Sequence, residues 1–63
     1  MEGRYHVTLV LDGKPTMHGW WKTKPLAMSQ YGGWIGRWGR PGARITVVDA
    51  DTEDLLAEWP SGD

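Results

Sequence analysis

The dipeptide Asp12-Gly13, set between two runs of strand-forming residues, constrains this chain more than any other feature. Upstream, Tyr5-His6-Val7-Thr8-Leu9-Val10-Leu11 is rich in β-branched and aromatic residues and places Tyr5, Val7, Leu9 and Leu11 on one side at period two. Downstream, Lys14-Pro15-Thr16-Met17-His18-Gly19-Trp20-Trp21-Lys22 reads as the returning strand, so the pair is a β-hairpin. A two-residue Asp-Gly turn would set Leu9 opposite Thr16 and Val7 opposite His18, mixing polar and apolar residues on one face. A three-residue loop, Leu11-Asp12-Gly13 with Gly13 left-handed in a bulge, instead pairs Val7 with Met17 and keeps Tyr5, Leu9, Met17 and Trp21 together. The second register is preferred, and it puts His6 directly opposite His18. Pro15 lacks a ladder donor, which makes its strand an edge or puts it at a position that makes no ladder bond.

Thr23-Lys24-Pro25 marks a helix entry, with Thr23 or Lys24 at the cap and Pro25 suited to the first helical position. The spacing predicts a helix to about Trp38, with Ala27, Tyr31, Trp34, Ile35 and Trp38 on one stripe. Gly39, Pro41 and Gly42 end it. Gly32, Gly33 and Gly36 each cost about 1 kcal/mol relative to alanine, so the helix depends on tertiary support. Gly32 and Gly36 share a face and are read as making room for the chain's own tryptophans.

Arg44-Ile45-Thr46-Val47-Val48 is a third strand and Leu55-Leu56-Ala57-Glu58-Trp59 a fourth, joined by the polar turn 49–54. The expected architecture is α+β, a single ββαββ domain over residues 1–63: a four-stranded antiparallel sheet with one helix across one face. Its inner layer would be Tyr5, Val7, Leu9, Met17, Trp21, Ile45, Val47 and Trp59, against Tyr31, Trp34, Ile35 and Trp38.

A chain of 63 residues without cysteine has no disulfide and no thiolate metal site to supplement a small core. Domains this short bury only about 60% of the surface their unfolded chains expose, which makes self-association a sensible expectation. No leader-like segment and no apolar run near the roughly 20 residues of a membrane span occurs, so a cytoplasmic protein is expected.

The net charge of −1 conceals a segregation. Residues 20–44 carry four of the five tryptophans and the cations Lys22, Lys24, Arg37, Arg40 and Arg44, with no carboxylate. Residues 45–63 carry Asp49, Asp51, Glu53, Asp54, Glu58 and Asp63, with no cation. Two candidate surfaces follow. Adjacent strand residues point to opposite faces, so Trp20 is exposed if Trp21 faces the core. Trp20 would then join His6, Thr8 and His18 on an uncovered sheet face suited to a homodimer or a protein partner. Alternatively, Arg37, Arg40, Arg44, Lys22 and Lys24 would grip nucleic-acid phosphates beside Trp20 or Trp38. A pI near 6.0 gives no general attraction to nucleic acid, and cations at a helix C-terminus also serve its dipole.

Two histidines without further ligands make no metal site. The alternation Asp49, Asp51, Glu53 departs from a calcium loop, which needs glycine at its sixth place and glutamate at its twelfth, where this chain has Asp54 and Pro60. No nucleophile, base and acid can be assembled into a set, so neither a cofactor nor an enzymatic activity is expected.

The run from Tyr5 to Trp21, with Asp12-Gly13-Lys14-Pro15 and His18-Gly19-Trp20-Trp21, followed by Trp34 and Ala43-Arg44-Ile45-Thr46, resembles small uncharacterised actinomycete proteins. The resemblance spans most of the chain. It implies a small cytoplasmic protein and brings no activity, ligand or site residue with it.

Overall fold

The computed structural model describes residues 3–60. Five elements follow one another: β1 (Tyr5–Leu11), β2 (Lys14–Trp21), α1 (Lys24–Trp38), β3 (Ala43–Asp49) and β4 (Asp54–Trp59). The strands form one antiparallel sheet in the order β2-β1-β3-β4, and the helix packs on one face of it. The two hairpins thus meet along β1 and β3, which leaves β2 and β4 as edges.

Turn chemistry sets the first hairpin, and it differs from the expected register. Asp12 (φ 52°) and Gly13 (φ 81°) are both left-handed, the signature of a two-residue turn whose twist matches the strands it joins. Leu11 faces Lys14 and Val10 faces Pro15, and then a bulge at Thr16 brings Leu9 opposite Met17. Val7 therefore faces Gly19, not Met17, and His6 faces Trp20, not His18. The extra residue in the bulge restores the inward set Tyr5, Leu9, Met17 and Trp21, so the predicted face survives although its pairing does not. A second bulge, at Leu56, turns Leu55 to the outer face opposite Val48 while Leu56 and Ala57 both pack toward the core.

Thr23 caps α1, its side chain accepting from the Leu26 N–H, and Gly39 closes it with an N–H donated to the Ile35 carbonyl at 2.8 Å. The helix lies over β1 and β3. Between helix and sheet Val7, Leu9, Ile45 and Val47 of the strands and Ala27 of the helix are fully buried. Around this aliphatic centre pack Trp21, Trp34, Trp38 and Trp59 with Tyr5, Met17, Tyr31 and Ile35, all half-buried. Indoles form the rim of the core because one helix is narrower than four strands, and long flat side chains bridge the remaining gap.

The glycines divide in a way not foreseen. A Cβ at Gly32, Gly33 or Gly36 would meet nothing within 4 Å, so these positions do not make room for tryptophans. Gly19 does. The Trp21 indole lies across it, where a Cβ would fall 2.7 Å from Cζ3, and from there Trp21 meets Trp34 edge-on with centroids 6.0 Å apart.

Candidate functional site

Period-two alternation sends Trp20 and His18 of β2, His6, Thr8 and Val10 of β1, Arg44, Thr46 and Val48 of β3, and Leu55 and Glu58 of β4 to the face opposite the helix. The register arranges them in rows across the strands. One row runs Trp20, His6, Val48, Leu55, and the next runs His18, Thr8, Thr46, Glu58. Trp20 is 38% exposed and Leu55 54%, two of the three large apolar side chains that stand open to water among the described residues.

The expected four, Trp20, His6, His18 and Thr8, do come together. His6 stacks on Trp20 with rings 4.0 Å apart and 3° from parallel. His6 Nε2 lies 3.0 Å from His18 Nδ1, a diagonal contact between neighbouring rows rather than the directly opposed pair that the sequence predicted. Beside the two histidines a hollow of about 310 Å³ opens between His6, Thr8, Pro15, Thr16, Met17 and His18. Leu55 was not foreseen on this face because only the bulge at Leu56 turns it outward; the signal available was an apolar residue beside a polar turn. Arg44 and Glu58, the two formal charges of the face, are joined as an ion pair.

The basic block does not form one surface. Lys22 and Lys24 stand at the start of α1, while Arg37 and Arg40 stand at its other end, a separation of about 20 Å for a helix of 15 residues. Arg44 faces outward on β3, paired with Glu58. Trp38 is half-buried against the core, so Trp20 is the more exposed ring. The acidic turn 49–54 lies at the same end of the sheet as Lys22 and Lys24, so segregation along the sequence is partly undone in space.

At that end Arg4 closes the sheet. Its Nε and Nη2 donate to the two carboxylate oxygens of Asp49 at 2.8 Å each, and Asp49 Oδ1 also accepts from the Asp51 N–H at 3.0 Å. The hydrogen bonds from Arg4 hold the Asp49 carboxyl below its ordinary value, against the opposing effect of desolvation. Burial, and then the neighbouring His18, hold His6 below its own. Both groups bind fewer protons folded than unfolded, so both make stability fall with acidification. The His6 contribution is complete above the ordinary 6.5 and declines as pH falls toward its lower folded value. The Asp49 contribution is complete above the ordinary 3.8 and is lost as pH falls through its depressed one. A melting-temperature series from neutral to strongly acid pH should therefore fall in two stages, the first removed by His6→Asn and the second by Asp49→Asn. A flat profile down through both ranges would contradict the geometry.

Among the described residues no three His, Cys, Asp or Glu side chains gather as metal ligands, and no helix is long and apolar enough to cross a membrane. Compared with protein-family models, curated proteins and solved structures, the chain matches none.

Proposed function

We propose that the protein is a small non-catalytic binding module that acts through the outer face of its sheet, with a second copy of itself as the partner. The observation that carries this reading is the row Trp20, His6, Val48, Leu55, an apolar surface left uncovered in a domain with little surface to spare. Knob and hollow lie side by side: Trp20 stands next to the 310 Å³ recess, so a two-fold axis through the face would seat each Trp20 in the other copy's hollow. The charges of the face cancel in the Arg44–Glu58 pair, so two copies do not repel. Four strands at about 4.8 Å spacing and about seven residues in length give roughly 450 Å² in flat projection. Side chains standing off that plane raise the accessible area toward the ~800 Å² per partner of a standard interface.

Sedimentation velocity over a concentration series, at low and high salt, tests this reading on the wild type and Trp20→Ser. Wild type is expected to associate with little salt dependence. Trp20→Ser should raise the dissociation constant at least about 30-fold, as loss of an interfacial hot spot does, with an unchanged far-UV spectrum. Equal association by both proteins would refute it. A nucleic-acid role has narrower support, in Arg37 and Arg40 at one helix end. It would replace the first reading if the protein stayed monomeric and bound a single-stranded oligonucleotide in a complex lost at high salt.

A further inference from the structure

Another recess lies on the other side of the sheet, between α1 and the edge strand β2. Because the helix is centred on β1 and β3, its flank stands off from β2 and leaves a groove of about 410 Å³ lined by Met17, Gln30, Gly33, Trp34, Arg37 and Trp38. That volume is within the range of small-molecule sites, about 300–1,000 Å³. Its walls are the Met17 thioether and two indoles one helical turn apart, and Gly33 contributes no side chain where a Cβ would meet nothing within 4 Å. The polar groups sit at the two ends. Gln30 and Arg37 are seven residues apart on α1, two turns and about 10 Å along the axis.

Charge chooses the class of occupant. The lining holds one cation and no carboxylate, and Arg37 pairs with no carboxylate among the described residues. Arg40 stands just beyond it, past the helix end. A guanidinium at the mouth of an aromatic groove presents paired N–H donors to a planar anion, the geometry that carboxylates satisfy with two parallel bonds. From these residues we infer that the groove is a binding site for a planar aromatic carboxylate, its rings against Trp34, Trp38 and Met17 and its carboxylate on Arg37. Gln30 meets the far end of the ligand with an amide that can donate or accept. Met17, on the edge strand, borders both this groove and the outer-face hollow, while Trp20 takes no part in the groove.

The five indole N–H signals of the protein allow the two surfaces to be read independently by NMR. Titration with 2-naphthoate as the probe should shift the Trp34 and Trp38 signals saturably, with a dissociation constant at or below about 1 mM, and leave Trp20 in place. The neutral isostere 2-naphthamide should bind at least about tenfold more weakly, and Arg37→Gln should lower naphthoate affinity by a similar factor. Gly33→Leu, which adds a side chain in open space and favours the helix, should abolish binding without unfolding the protein. Absence of a saturable shift, equal binding of the amide, or shifts confined to Trp20 would each overturn the assignment.

Discussion

Leu9→Ala is expected to remove a large share of the protein's stability, about 2–5 kcal/mol. Leu9 sits at the centre of the sheet with no exposure, facing Met17 on one side and Ile45 on the other, and it is one of the largest fully buried side chains. Removing three buried carbons from such a position costs about 2–5 kcal/mol, because the lost transfer energy is joined by a cavity that surrounding atoms only partly fill. A domain of this size has a total stability of roughly 3–9 kcal/mol at the usual range per residue. No disulfide supplements the core, and the surrounding indoles are only half-buried, so the aliphatic centre has few neighbours able to move inward. Urea unfolding followed by far-UV circular dichroism would measure the loss directly. A cost under about 1 kcal/mol would mean that Leu9 is not the centre of the core.

Gly19→Val is a sharper test, since propensity and geometry predict opposite signs. Glycine weakens a strand interior and valine strengthens it, so the substitution would stabilise an ordinary site. Here the Trp21 indole occupies the space the side chain needs, and Trp21 in turn supports Trp34 on the helix. Displacing the ring should cost about 1–3 kcal/mol, the usual range for overpacking, and should change the near-UV spectrum through the Trp21–Trp34 contact. Gly32→Ala serves as the comparison: a Cβ there meets nothing within 4 Å, so that change should stabilise by up to about 1 kcal/mol. Stabilisation by both substitutions would show that Trp21 does not need the seat at Gly19.

The contrast between these glycines marks how far the sequence could be read. Helix limits follow from Thr23, Pro25 and Gly39, whose roles are local, and the inward-facing residues follow from period two and period 3.6. The ββαββ order and the antiparallel sheet were legible for the same reason. The hairpin register was not, because it depends on a bulge at Thr16 that no composition rule marks; the two-residue turn on its own mixed polar and apolar residues on one face, and the structure combines that turn with the inward face of the three-residue alternative. Gly32 and Gly36 looked like packing glycines because helical spacing put them on one stripe, yet which stripe faces the sheet is decided by α1 settling over β1 and β3. Trp20, His6, His18 and Thr8 could be grouped because alternation alone places them. Leu55, the Arg44–Glu58 pair and the groove beside Arg37 depend on a second bulge and on strand order, which are tertiary facts.

The outer face bears directly on acid sensitivity as well. Burial and the neighbouring His18 both oppose a charge on His6, so protonating His6 disturbs the ring on which Trp20 stacks. Association through this face should therefore weaken over the same range in which His6 takes its proton.

The most direct measurement is an isotope-filtered NOE experiment on a mixture of labelled and unlabelled wild-type protein at neutral pH, which records only contacts between copies. The outer-face account predicts intermolecular contacts from Trp20 to the protons of Thr8, Pro15 and Thr16, with further contacts at Val48 and Leu55. Contacts located instead on α1 or along the free edge of β2, or a protein that remains monomeric at about millimolar concentration, would contradict it.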